Sequence, residues 1–154
     1  MSRFLPLTIA FLVSATAMSD TIKVESTGHY IRLNDPKMIE LEGNNEAYLG
    51  YRRHISVEGN DGQSESHWCF GTNVMAGESL SFGGGYCIII DEDGDAYWTW
   101  FQLGSDGGFN WQVMGGTGKY LNASGQGVSR ATKILPDGSA TLEIQGSIEI
   151  ADNQ

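Results

Sequence analysis

The chain predicts an all-β, antiparallel protein, and three observations carry that prediction. Glycine is frequent, with 21 in 154 residues. Asn, Asp and Gly clusters recur every few residues, and the segments between them are rich in Val, Ile, Thr, Tyr and Trp. No amphipathic helix pattern follows the N-terminal region. Short strands at regular spacing, separated by turn signals, indicate a sandwich or a barrel.

Ile22–Glu25 and Tyr30–Leu33 are short alternating segments, and Met38–Glu42 follows the turn signal Asn34-Asp35-Pro36. Ala47–Val57 is a longer strand that ends at Glu58-Gly59-Asn60-Asp61-Gly62, a hairpin signal. Ser64–Asn73 returns, Ala76-Gly77-Glu78 turns again, and Ser79–Ile90 runs back through Gly83-Gly84-Gly85. Asp91-Glu92-Asp93-Gly94-Asp95 is the strongest turn. Ala96–Leu103, a loop at Gly104–Gly108 and Phe109–Met114 come next. Val128–Leu135, the turn Pro136-Asp137-Gly138 and Ala140–Ile150 form a closing hairpin, and Asp152-Asn153-Gln154 is expected to fray.

The N-terminus reads as a cleavable signal peptide. Arg3 precedes an apolar run from Phe4 to Val13, and Ala15 and Ala17 supply an A-x-A cleavage signal. The run is shorter than the roughly 20 residues that span a bilayer, and no later segment is apolar enough to do so. Residues 1–17 are therefore read as the signal, and 18–154 as one domain of a size that supports its own core. Export to the periplasm or the medium follows. The chain carries 19 acidic against 9 basic residues, and cleavage removes only Arg3 from either set. Such acidity disfavours nucleic acid and anionic membrane surfaces as partners, and favours solubility. In an exported protein the two cysteines, Cys69 and Cys87, are expected to form a disulfide. A reactive thiol or a metal ligand is the weaker alternative, since no C-x-x-C spacing is present.

Hairpin parity divides the strands into two faces. With Asn60-Asp61 as a two-residue turn, His54 lies opposite His67 and Arg52 opposite Cys69. With Asp93-Gly94 as the next, Ile89 opposes Trp98 and Cys87 opposes Trp100. One face then carries Tyr51, Ile55, Trp68, Phe70, Tyr86, Ile88, Ile90, Tyr97 and Phe101, with Arg53 out of place among them. The other carries Arg52, His54, Glu65, His67, both cysteines, Ile89, Trp98, Trp100 and Gln102. The first is the expected core. The second is either an outer surface, partly covered by a neighbouring subunit, or a pocket whose aromatic walls hold an apolar ligand. A histidine near Glu65 suits proton transfer near neutral pH, and equally a surface pair.

Several motifs are set aside. Asp91–Asp95 has its Gly at the fourth position, not the sixth of a calcium-binding EF-hand loop, and its flanks are strand-like. Gly116-Thr117-Gly118-Lys119 lacks the first glycine of a phosphate-binding loop, and Tyr120 follows the lysine. His54 and His67 could meet across a hairpin, but two ligands without a third are weak grounds for a metal site, so no metal and no cofactor is assigned. Asn122-Ala123-Ser124 fits a glycosylation triplet. No G-x-S-x-G and no Ser/His/Asp set is present.

The stretch from Trp111 to Gly127, WQVMGGTGKYLNASGQG, is similar to a segment of the allene oxide cyclase/dirigent-type β-barrel superfamily. There a GGTGK-aromatic run precedes a small-residue segment and the final strands. Cys69, Gly85-Tyr86-Cys87 and the Asp91–Asp95 run also look like a group of exported bacterial proteins with this ending. The resemblance covers the last third of the chain directly. It implies an eight-stranded antiparallel closed barrel, often trimeric, with a cavity for a lipophilic small molecule. The plant members use that cavity to guide cyclisation or radical coupling. Their catalytic residues match no positions here, so no activity is carried over.

The leading expectation is an exported barrel that binds a small apolar or aromatic molecule through Trp98, Trp100, Gln102, His54 and His67. The alternatives are a cyclase or isomerase using Arg52, His54, Glu65 and His67, and a non-catalytic envelope protein that self-associates as a trimer or dimer.

Overall fold

Among the described residues, nine strands form one antiparallel sheet, each from the second onward beside its neighbours in sequence and the ninth beside the first, and pairing of the first with the third closes eight of them into a barrel. The structure is a computed structural model that describes residues 19–60 and 62–151. The expected signal segment and the frayed Asp152–Gln154 lie outside the described residues. The strands are β1 (Ser19–Arg32), β2 (Lys37–Leu41), β3 (Asn45–Gly59), β4 (Ser64–Ala76), β5 (Ser79–Ile90), β6 (Ala96–Leu103), β7 (Phe109–Gly116), β8 (Ser124–Ile134) and β9 (Ala140–Ala151). The all-β, eight-stranded barrel expected from the sequence is the observed architecture, with β2 as one extra strand.

The extra strand follows from a change of partner along β3. Its first half, Asn45–Leu49, pairs with β2, and its second half, Arg53–Gly59, pairs with β1. The ladder slips between Leu49 and Tyr51, where Gly50 takes a left-handed φ of 74°. The Asn34 carboxamide bridges this break. It receives the Arg52 N–H at 2.8 Å and donates to the Gly50 carbonyl at 3.0 Å. The Asn34-Asp35-Pro36 turn signal thus marks the point where β1 leaves the wall.

Four turns share one geometry. Gly59 and Gln63, Asp91 and Asp95, Gly104 and Gly108, and Leu135 and Ser139 each close a three-residue loop, the first residue donating its N–H to the fifth. Each loop ends in Asp-Gly, and Gly62, Gly94, Gly107 and Gly138 all have φ between 79° and 85°. A type I turn followed by a left-handed glycine matches the twist of the flanking strands. Cross-strand partners therefore differ by one residue from those of a two-residue turn. His54 opposes Trp68, His67 opposes Ile55, Cys87 opposes Thr99 and Ile88 opposes Trp98.

The shift corrects the two faces expected from the sequence. Tyr51, Ile55, Tyr97 and Phe101 do face the interior. They are joined by Val57, His67, Cys69, Cys87, Ile89, Val113, Ile144 and Ile148. Trp68, Phe70, Tyr86, Ile88 and Ile90 lie outside and are exposed. Cys69 and Cys87, directly opposed on β4 and β5, form the disulfide inside the barrel.

The bridge spans 18 residues of chain and is expected to stabilise by about 3 kcal/mol in the chain-entropy model. Urea unfolding with and without reductant checks this, and an unchanged midpoint would remove the bridge from the account of stability. Gly94→Ala and Gly138→Ala are each expected to cost about 1–2 kcal/mol, because a side chain is strained at positive φ. Equilibrium unfolding of both variants should show losses of that size, with little change at an exposed strand position such as Thr27.

Candidate functional site

The GGTGKY motif builds one end of the barrel. Gly115 and Gly118 hold φ values of 149° and 53°, and a short 3-10 turn follows over Gly118–Tyr120. A Cβ at Gly118 would overlap the Asp95 carboxylate. Its absence lets this turn dock on the β5–β6 hairpin. The Lys119 N–H donates to Asp95 Oδ2 at 3.1 Å, and its ammonium reaches Asp91 Oδ2 at 2.7 Å and Asp93 Oδ2 at 3.0 Å. The Asp91–Asp95 acids are therefore a clasp for Lys119. Among the described residues, no group of three His, Cys, Asp or Glu side chains is placed to hold a metal.

Docking drives the Tyr120 ring into the barrel, 4% exposed, with its centroid 4.8 Å from that of Tyr97. Tyr97 donates to Glu65, its hydroxyl 3.3 Å from both carboxylate oxygens. His67 Nε2 lies 2.9 Å from Glu65 Oε2. An ionised carboxylate only accepts, so His67 presents an Nε2–H to it and keeps Nδ1 as an acceptor when neutral. Glu65 thus holds two donors from two other strand positions at the edge of the apolar interior.

A cavity of about 60 Å³ lies inside this cluster, lined by Glu65, His67, Thr99, Phe101, Trp111 and Leu142 among others. A larger opening of about 370 Å³ lies beyond it, between β1, the 59–63 turn and Lys119-Tyr120. It arises because β3 ends at Gly59 opposite Ser26, leaving residues 19–24 of β1 paired with β9 alone. Glu65 and Val24 line both spaces, so the carboxylate stands between mouth and interior. The Trp111 indole lies over the glycine pair Gly127 and Gly146, and its Nε1 is buried without a hydrogen-bond partner among the described residues.

The residues singled out from the sequence divide between the two surfaces of the wall. Glu65 and His67 face the interior. Arg52, His54, Trp98, Trp100 and Gln102 do not join them, because the three-residue turns place them on the outer surface. There His54 hydrogen-bonds Ser66 Oγ at 2.8 Å and packs on Trp68 at 4.6 Å. Trp98 covers Gly115. Phe70, Tyr86 and Trp100 form one cross-strand row that continues through Gln112 and Gln126. Sequence reasoning assigned Tyr97 to the core without a polar role and gave none to Tyr120, Lys119 or Trp111. Their signal was the motif itself: an aromatic directly after GGTGK, and acids in the turn it meets.

Burial first, and then the Glu65 carboxylate, push Tyr97 well above the ordinary phenol range; burial also raises Tyr120. The native state holds these protons where the unfolded chain begins to release them, near pH 10. The stability they confer is therefore present below that pH and falls as pH rises above it. Tyr97→Phe is expected to make the loss of stability between pH 10 and 12 shallower, by up to about 1.4 kcal/mol per pH unit. Urea midpoints at matched pH values measure the slope, and an unaltered slope would show that Tyr97 titrates normally.

No protein-family model matches the chain, and no curated protein is similar to it. Solved structures similar in fold include two dirigent proteins. The pterocarpan synthase dirigent protein PsPTS1 superposes with a TM-score of 0.59 at 13% identity, over 87% of this chain and 97% of its own. The pterocarpan synthase dirigent protein GePTS1 does so with a TM-score of 0.59 at 12% identity, over 96% of this chain and 100% of its own. The chain therefore has the fold of the dirigent-type β-barrels.

Proposed function

We propose that the barrel binds a small lipophilic or aromatic molecule in its interior, with Glu65, His67, Tyr97 and Trp111 holding the polar groups of that molecule. The observation that carries this reading is the Glu65 carboxylate, fixed by two donors where the mouth meets an apolar cavity. Apolar walls with a few converging polar groups are the usual composition of a small-molecule site. The buried, unpartnered Trp111 N–H supports it, since a buried donor without an acceptor is costly and a ligand acceptor would satisfy it. The cavity is small, so binding expands it through the mouth.

The same constellation favours a catalytic version of the reading, a cyclase or isomerase. His67, oriented by Glu65 through Nε2, offers Nδ1 as a base, and Tyr97 stays protonated as a donor. Confinement of a reactive substrate would supply much of the remaining effect. Export forms part of the proposal: the Cys69–Cys87 bridge suits an oxidising compartment. Self-association as a trimer or dimer is supported by the outward row of Phe70, Tyr86 and Trp100, since exposed aromatic patches mark contact surfaces.

A variant carrying W68F, W98F and W100F leaves Trp111 as the single indole and isolates the interior signal. Titration with phenols and medium-chain lipids is expected to shift its emission. Glu65→Gln and His67→Ala in that background should weaken the best ligand about tenfold or more, the worth of a lost hydrogen bond to a charged group. Silence of Trp111 towards every compound, in a folded sample, would overturn the proposal. Turnover of a bound compound that His67→Ala abolishes without loss of binding would select the catalytic version.

A further inference from the structure

The end of the barrel opposite the mouth holds two guanidinium groups that no carboxylate among the described residues neutralises. Arg53 points into the barrel from β3, directly opposite Cys69, four strand positions from the Val57–Glu65 pair at the mouth. At about 3.3 Å per residue, the two polar poles of the interior are about 13 Å apart. The Arg53 guanidinium lies 5.0 Å from the Tyr30 ring centroid and 4.8 Å from that of Tyr51. Arg32, its direct cross-strand partner on β1, lies 5.6 Å from the same Tyr51 ring, so one tyrosine serves two cations. Burial, and to a smaller extent the nearby Arg32 charge, hold Arg53 below the usual guanidinium range.

Among the described residues, the ion pairs involve Lys23, His67, Lys119 and Arg130, and neither Arg32 nor Arg53 is within pairing distance of a carboxylate. Asp35 lines the same end groove, of about 480 Å³, with Arg32, Tyr48 and Tyr51, yet makes no ion pair. In a chain with 19 acidic and 9 basic residues, two arginines that converge without an acid are not a consequence of composition. Two like charges sharing a ring repel each other. A desolvated cation without a counter-charge is costly unless something supplies one. Cation–π contact offsets part of that cost. It also leaves free the N–H groups at the guanidinium edges, which match the two oxygens of an oxyanion.

We infer that the end of the barrel opposite the mouth is an oxyanion site, in which Arg53 and Arg32, braced on Tyr30 and Tyr51, take a carboxylate or a phosphate-type group. The site is independent of the ligand proposed for the mouth. Glu65 and His67 play no part in it, and its test does not depend on that ligand.

The probes are inorganic phosphate, acetate and decanoate, each against chloride at equal ionic strength, with thermal unfolding and calorimetry as readouts. Phosphate or acetate is expected to raise the wild-type melting temperature in a saturable way. A response to decanoate alone would identify the oxyanion as the head of an amphiphile and would keep Arg53 as its partner. Arg53→Met removes the buried charge. It is expected to fold with undiminished stability in chloride and to lose the anion response altogether. Arg32→Ala, at an exposed position, keeps the test open should the Arg53 variant fail to fold. It should weaken the response about tenfold, the worth of a charge-assisted hydrogen bond. Lys133→Ala, which removes an exposed cation from β8, should respond to phosphate and acetate as wild type. Equal melting temperatures in all four salts would overturn the inference, and so would an anion response that survives both arginine variants.

Discussion

The geometry of the turns is the constraint from which the interior of this barrel follows. Side chains alternate across a strand with a period of two, so the length of a turn decides which half of the next strand faces inward. Four loops of three residues, each closed by a left-handed glycine, hold that parity around most of the wall. Glu65, His67, Cys69, Cys87, Ile89, Tyr97 and Thr99 share the interior because of it. A single residue gained or lost at the 59–63 turn would exchange His67 for Trp68 and bring an indole into the barrel in place of an imidazole.

Within that frame, the charged side chains of the interior fall into two groups. Apolar side chains such as Ile55, Ile89 and Ile144 pack around them, and the disulfide lies level with Arg53. At the mouth a carboxylate holds an imidazole and a phenol. At the far end two guanidinium groups lie on tyrosine rings without an acid. Polar groups in a low-dielectric interior persist when they are paired or when a ligand completes them. Glu65 is paired, while Arg53 and the Trp111 N–H have no such partner among the described residues. This asymmetry distinguishes a folded barrel that is merely filled from one with sites in it.

The GGTGKY segment joins fold to site. It is a structural motif, as its glycines suggest, since they permit a turn that would otherwise collide with Asp95. That turn also delivers Tyr120 to the interior and anchors Lys119 on Asp91 and Asp93. The acids that resemble a calcium loop are consumed in this clasp. Burial pushes Asp91 up, but the Lys119 ammonium, the Tyr120 hydroxyl and the Asp95 amide outweigh it and hold the carboxyl below its ordinary range.

The sequence by itself determined that this chain is antiparallel and all-β, where most of its turns fall, and that Cys69 and Cys87 could meet. These properties are local: β-branched and aromatic runs, Asp-Gly pairs and two cysteines on neighbouring strands. The resemblance carried by Trp111–Gly127 added the eight-stranded closure. The tertiary structure alone decided which face is inside. Asp-Gly suits both two-residue and three-residue turns, and the two differ by one residue in pairing. That one residue moved His54, Trp98 and Trp100 to the outer surface and kept Glu65 and His67 within. Arg53, which looks misplaced in the sequence, is an interior cation: Tyr51 is its neighbour on the same face of β3, and only the closed barrel brings Tyr30 of β1 beside it.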